Sequence, residues 1–221
     1  MDYRLASNGC WSAEMGPVRM GSCLELESLD ELGLEVRQLK QVHGVAIRDD
    51  AYFANERSYH EGDGLVSTLP GVALVVKTAD CLPVVLSDGH KIAAVHAGWR
   101  GFRAGIVERL TGHFDMSRVF AFIGPAISAD NYEVDRDLYE AWLAEDPALA
   151  SHLKPAPAGG TKRLFDLKGM ARAQLIELGI AEARVEVVPV CTVASPLPSF
   201  RRDKNRDRSI YSYIYRMTEG I

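Results

Sequence analysis

The chain has no apolar run approaching the roughly 18 residues that a membrane helix requires. It also lacks a low-complexity tract or a Gly/Ser/Pro-rich linker, which argues against a long disordered tail or a division into two units. Positive charge is not in excess: 25 Lys and Arg stand against 30 Asp and Glu, a formal charge of −5. Bulk attraction to nucleic acid or to an anionic membrane is therefore not expected. Cysteine is scarce and scattered. Cys10, Cys23, Cys81 and Cys191 form no Cys-x-x-Cys pair, which excludes a zinc finger or a vicinal dithiol. The opening Met1-Asp2-Tyr3-Arg4 reads as neither a signal nor a transit peptide, so a cytoplasmic protein with reduced thiols is expected.

What remains is an ordinary globular composition, 221 residues of which 47% are apolar, long enough to bury a core without disulfides or structural metals. β-branched or alternating runs predict strands at 34–39, 45–48, 72–76, 82–86, 91–95, 119–123, 185–190 and 210–215. Those at 72–76 and 82–86 are almost continuously apolar, as in strands covered on both faces. Helical spacing of Ile106, Val107, Leu110 and Phe114 predicts a helix over 102–114, and Leu138, Tyr139, Trp142 and Leu143 predict another over 135–143. A third over 167–178 has Asp166 as its N-cap and Gly179 at its end. Residues 154–161 read as a surface loop. Strands and helices interleave irregularly, which predicts a single mixed α/β domain over 1–221.

Three segments each place a strong ligand or nucleophile at a strand end: Lys40-Gln41-Val42-His43-Gly44, Thr78-Ala79-Asp80-Cys81-Leu82-Pro83 and Val95-His96-Ala97-Gly98-Trp99-Arg100-Gly101. Loops at strand ends are where open sites are built. Two imidazoles and a thiolate from His43, Cys81 and His96 would hold a zinc ion with a fourth position left for water or substrate, the arrangement of a catalytic site. The competing reading makes Cys81 a small core residue and the histidines half-buried polar groups.

Gln-Val-His-Gly, Asp-Gly-Leu-Val-Ser-Thr, Thr-Ala-Asp-Cys-Leu-Pro and His-Ala-Gly-Trp-Arg-Gly occur here in that order. They resemble the signature of the YfiH-like family, also called the laccase-domain, multicopper polyphenol oxidoreductase or purine nucleoside phosphorylase family. Phe122-Ile123-Gly124-Pro125-Ala126-Ile127 with Tyr132-Glu133-Val134, and then Cys191-Thr192 with Ser199-Phe200-Arg201-Arg202-Asp203, are similar to its later blocks. The resemblance covers roughly residues 38–215. It implies a layered α/β/β/α sandwich with mixed sheets and one zinc ion on His43, Cys81 and His96. It also implies phosphorolysis of adenosine, inosine and S-methyl-5′-thioadenosine, with deamination of adenosine. Copper-dependent oxidation of phenols is the older description of the family. The partners implied are a small nucleoside and phosphate.

Deamination needs a carboxylate to pass a proton to the leaving ammonia, and Asp63 and Asp80 are the candidates; a turn aspartate and a strand-end cap are the alternative readings. Phosphorolysis needs an anion seat. Arg100, at the start of the expected 102–114 helix, would join a cation to a helix N-terminus, and the family pattern points Arg201 and Arg202 to the same place. Cys191 reads as a core thiol more readily than as a pocket wall, and Trp99 as an anchor more readily than as a stacking platform. Cys10 and Cys23 read as structural, and His60, His90, His113 and His152 as solvated.

The family's N-terminal Thr-Arg-x-Gly-Gly-Val-Ser and Leu-Asn-Leu stretches are absent, so residues 1–33 diverge on the substrate side. A second class of chemistry is a cysteine hydrolase or deamidase with Cys81 as nucleophile and His96 as base. Such a dyad has no use for His43, whereas a three-ligand metal site does. A copper oxidase is third, because multicopper centres need more ligands than six scattered histidines offer. A non-enzymatic binding module is the fourth. No amphipathic stripe is left without a core role, so a monomer is expected.

Overall fold

The computed structural model describes residues 2–55, 60–145, 147–155 and 161–218. Two six-stranded sheets dominate. The first runs in the order Asp2–Leu5, Trp11–Met15, Val18–Cys23, Ile210–Arg216, Val72–Thr78, Glu35–Arg37. The second runs Val185–Val187, Phe120–Ile123, Leu82–Ser87, Ile92–Ala97, Gly64–Ser67, Ile47–Arg48. Both are mixed: each is antiparallel in its interior and carries a parallel strand at an edge. A small antiparallel sheet joins Glu133–Asp135, Lys162–Phe165 and Leu153–Pro155.

The sheets lie face to face, with Trp11, Met20, Leu74, Val76, Val85, Phe122, Ile210 and Ile214 in the dry layer between them. A second core lies between the second sheet and the helices, where Val84, Leu86 and Val95 meet Phe102, Ile106, Leu110, Ala171 and Leu175. Strands 72–78 and 82–87 are buried along almost their whole length, because each carries packed neighbours on both faces. This is the single-domain mixed α/β sandwich that the sequence predicts. Its helical covering is uneven, however. Helices Arg136–Glu145 and Leu167–Glu177 pack on the side of the second sheet, while helix Glu27–Asp30 is a single turn against the edge strand Glu35–Arg37 of the first.

Several expected elements take a different form. The helix expected over 102–114 is instead Trp99–Arg103, followed by a 3-10 turn at Glu108–Gly112. Gly105 between them has φ +86, a left-handed conformation that cannot continue a right-handed helix. Ile106, Val107 and Leu110 are nonetheless fully buried, so the apolar spacing reports the core face and not an unbroken helix. The strand expected over 185–190 pairs only at Val185–Val187: the Val188 N–H still donates to the Ile123 carbonyl, but the Val190 N–H turns back onto the Val188 carbonyl and ends the ladder. The helix at 167–178 follows the forecast: Asp166 Oδ1 accepts from the Gly169 N–H at 2.9 Å and Gly179 has φ +106. The strands at 2–23 carry no strong periodic signal in the sequence. Of the loop read at 154–161, residues 154 and 155 belong to a strand, and 156–160 lie outside the described residues. No helix among the described residues is long and apolar enough to cross a membrane.

Candidate metal centre

Cys81 sits in the crossover from strand Val72–Thr78 of the first sheet to Leu82–Ser87 of the second. The antiparallel register then does the assembling. Leu82 pairs with Ala97 and Pro83 with His96, which brings the Cys81 turn beside His96 at the end of its strand. The next strand pairs Gly64 with Val95, and the His96 N–H donates to the Asp63 carbonyl at 2.7 Å, so Asp63 lies alongside His96.

His43 arrives on a loop held from both ends. Gln41 mimics a strand residue: its amide donates to the Lys77 carbonyl and accepts from the Lys77 N–H, both at 2.7 Å. Asp63, with no exposed surface, gathers the loop itself. Its Oδ2 accepts from the Val42 and Gly44 N–H groups at 3.2 and 2.7 Å, and its Oδ1 from the His43 N–H at 2.9 Å. The same Oδ1 lies 2.7 Å from His96 Nδ1. That contact places the His96 proton on Nδ1 and leaves Nε2 as the lone-pair donor, the usual way a carboxylate orients a metal-binding imidazole.

The backbone is strained where the three donors meet. His43 (φ 58) and Asp80 (φ 101) are two of the three non-glycine residues with positive φ among the described residues, a cost that tertiary contacts must offset. Two glycines make the approach possible. A Cβ on Gly98 would lie 2.6 Å from His43 Nδ1 and 3.3 Å from Cys81 Sγ; one on Gly101 would lie 2.6 Å from the Gly44 carbonyl. The glycines of the His-Ala-Gly-Trp-Arg-Gly segment are thus explained by contact.

The donor atoms of His43, Cys81 and His96 all lie within 4.8 Å of one another, and the two imidazole centroids are 4.7 Å apart. His43 is exposed, Cys81 half-buried and His96 buried, so the site opens on the His43 side. Burial alone would push the Cys81 thiol up, yet hydrogen bonds from His43 and His96 outweigh it and bring the thiol down to about 7. Burial disfavours the His96 imidazolium, yet the Asp63 hydrogen bond and the Cys81 sulfur raise it to about 9. Two nitrogens, one easily ionised sulfur and a buried carboxylate behind one ring fit a metal ion. Among the described residues this is the one cluster of three or more such donors.

The remaining expected residues divide sharply. Asp80 stands beside Cys81, but its carboxylate is pinned: Oδ1 accepts from Thr192 Oγ1 at 2.5 Å and Oδ2 from the Arg201 N–H at 2.6 Å. Asp63 likewise has both oxygens engaged, so neither carboxylate has the free oxygen expected of a proton carrier. Arg202 has left the candidate anion seat. Its guanidinium donates to the Thr192, Val193, Ser195 and Leu197 carbonyls and to Asp203, which ties down the 192–197 loop. Arg100 is exposed and its guanidinium lies over the Trp99 ring at 4.2 Å. The five-residue helix it opens is too short to offer the anion-binding N-terminus expected of a 13-residue one.

Tyr132 was given no role in the sequence, yet it lies within electrostatic reach of Cys81, Arg201, Arg100 and Asp80. Arg201 sits over its ring at 5.6 Å. Burial, reinforced by Cys81, drives the phenol well above its ordinary range, so it stays protonated. The only sequence signal was its place beside Glu133-Val134 in a family block. Cys191 is half-buried, not core; its sulfur accepts from the Ser128 N–H at 3.3 Å and Asn131 Nδ2 at 3.4 Å.

The chain matches the family described as multi-copper polyphenol oxidoreductase laccase over residues 25–216. It belongs to this laccase-domain family. Among its relatives, a purine nucleoside phosphorylase of Xylella fastidiosa is 35% identical over 179 residues, covering 77% of this chain and 68% of that protein. The purine nucleoside phosphorylase YfiH of Escherichia coli is 34% identical over 185 residues, covering 80% and 72%. A solved Neisseria meningitidis protein superposes with a TM-score of 0.81 at 28% identity, over 94% of this chain and 98% of that one. The family match begins at residue 25, after the divergent first strands, while the Neisseria likeness covers 94% of the chain.

Proposed function

We propose that this laccase-domain protein is a zinc-dependent purine nucleoside enzyme that cleaves nucleosides such as adenosine, inosine and S-methyl-5′-thioadenosine by phosphorolysis; the deamination of adenosine that the family resemblance implies lacks a carboxylate free to carry its proton, since Asp63 and Asp80 have both oxygens engaged. The observation that carries the reading is the convergence of His43, Cys81 and His96 with Asp63 locked behind His96. The relatives named purine nucleoside phosphorylase supply the substrate class. Three protein donors suit zinc with an open position, and one cluster among the described residues does not suit a multicopper centre. When bound, the metal would supply a Lewis acid and an activated water.

The chain's own residues do the rest. Asp63 holds His96 in one tautomer and the His43 loop in one conformation, a positioning role. Arg201 and Arg100, the cations within reach of Tyr132 that have not been absorbed into the 192–197 loop, attract phosphate, whose oxygen attacks C1′ as the bond to the purine breaks. Tyr132, kept protonated, donates a hydrogen bond to the substrate. Asp80 holds the Arg201 backbone in place through its N–H. The substrates, then, are a nucleoside and phosphate.

The line Asp63–His96–Cys81 favours a second reading, a cysteine hydrolase with Cys81 as nucleophile. Elemental analysis of tag-free protein, with Cys81→Ala in parallel, separates the two. About one zinc per chain, lost in the variant, together with phosphate-dependent release of base from inosine, supports the metal enzyme. Metal-free protein that hydrolyses amides and is inactivated by thiol alkylation would establish the hydrolase instead.

A further inference from the structure

On the helix side of the second sheet, apart from the metal centre, lies a cavity of about 270 Å³. Its walls are aromatic. Trp99 and Trp142 stand with ring centroids 5.3 Å apart, Trp142 and Phe165 4.9 Å apart, and Phe102 and Met170 complete the apolar lining. None of His43, Cys81 or His96 lines it.

Three of the lining residues hold buried polar atoms with no partner among the described residues: Trp142 Nε1, Glu108 Oε2 and Gln174 Oε1. Trp142 is 3% exposed, so its indole N–H has no access to bulk water. Gln174 Nε2 donates to Glu108 Oε1, which fixes the remaining amide and carboxylate oxygens as acceptors. The cavity wall therefore offers two acceptors, one of them charged, and one donor. Unpaired buried groups of this kind cost free energy that a complementary ligand recovers. Met170 and Gln174 are four residues apart on helix Leu167–Glu177 and so share one face, joining an apolar contact to a polar one.

We propose that this cavity is a second ligand site, taking a small planar heterocycle that bears an amino group beside a ring acceptor. The amino group donates to Glu108 and Gln174, the ring acceptor receives the Trp142 indole N–H, and the faces of the ring meet the aromatic walls. The volume suits one or two fused rings, just under the usual range for drug-sized ligands, about 300–1,000 Å³. Arg103 and Glu145 in the lining pair with each other, which leaves Glu108 as the unpaired carboxylate among the described residues there; it selects against anions, so a free base enters and its nucleotide does not. This inference does not rest on the proposed activity.

The test uses adenine, unsubstituted purine and adenosine monophosphate as probes, followed by calorimetry and by intrinsic fluorescence. Trp99 and Trp142 are two of the three tryptophans, and Trp11 lies between the sheets, so fluorescence reports this cavity. Adenine should bind Cys81→Ala as tightly as the parent protein, which separates the cavity from the metal centre. Loss of one amino-group contact in Gln174→Leu, in Glu108→Gln or in unsubstituted purine should weaken binding about tenfold. The nucleotide should not compete. Several results overturn the proposal: no saturable adenine binding up to about 1 mM, as for a cavity filled by ordered water; loss of binding in Cys81→Ala; or unchanged affinity in both Gln174→Leu and Glu108→Gln in protein of parental melting temperature.

Discussion

Replacing Asp63 by Asn tests the organisation of the candidate metal centre most directly, because the change is almost isosteric and removes only charge and acceptor capacity. Asp63 Oδ1 serves the His43 N–H and His96 Nδ1, while Oδ2 serves the Val42 and Gly44 N–H groups. An amide has one oxygen to offer. In one orientation its NH2 faces the Val42 and Gly44 donors. In the other it faces the His43 N–H and His96 Nδ1, forcing the His96 proton onto Nε2 and blocking that donor. Either way at least two charge-assisted hydrogen bonds are lost at a site with no solvent access. At roughly 1.5–3 kcal/mol each, the cost is about 3–6 kcal/mol, a large fraction of the roughly 5–15 kcal/mol that holds a domain folded. Zinc affinity should fall about 10–100-fold, as for other partners of metal-binding imidazoles. Urea unfolding measures the first quantity and competition with a chromophoric chelator the second. Parental stability together with parental affinity in Asp63→Asn would refute the reasoning that Asp63 organises the centre.

The remaining expectations are equally concrete. Gly98→Ala, whose Cβ would sit 2.6 Å from His43 Nδ1, should lower metal content while circular dichroism stays native; full occupancy would mean that the His43 loop has room to move. Asp63 carries a pH signature: burial alone would raise its carboxyl, but the His96 and backbone hydrogen bonds prevail and lower it. A lowered carboxyl contributes stability above the unfolded value of about 4 and loses it as pH falls through the lower folded value. Acid titration of stability should therefore be flatter below about pH 4 in Asp63→Asn than in the parent. Arg201→Ala should raise the KM for phosphate with little change in melting temperature, whereas Arg202→Ala should lower the melting temperature and leave the phosphate KM alone; the reverse pattern would exchange their roles. Gly105→Ala, at φ +86, should destabilise by about 1–2 kcal/mol in urea unfolding, and an unchanged midpoint would show that the turn re-forms without a left-handed residue.

What the sequence by itself determined follows from short-range physics. The apolar runs at 72–76 and 82–86 read as strands covered on both faces, and the Asp166 and Gly179 signals around 167–178 act within a single helix. The His43, Cys81 and His96 segments were readable because each carries its donor at a strand end, the two histidine segments with a glycine close by. The tertiary structure decided what depends on register and on chain segments meeting from afar. Leu82 opposite Ala97 and Gly64 opposite Val95 turn three distant segments into one cluster, and no local preference encodes that pairing. The same holds for the aspartates and arginines. The sequence left Asp63 and Asp80 open between proton carriers and turn or strand-end caps, and Arg202 between an anion seat and a solvated loop, until backbone donors and carbonyls from remote loops decided them. The helix expected at 102–114 was broken by one glycine whose φ the chain's packing selects. Tyr132 and the Trp99–Trp142–Phe165 cavity stayed hidden for the same reason: aromatic side chains announce burial in a sequence, but only their packed neighbours determine what they face.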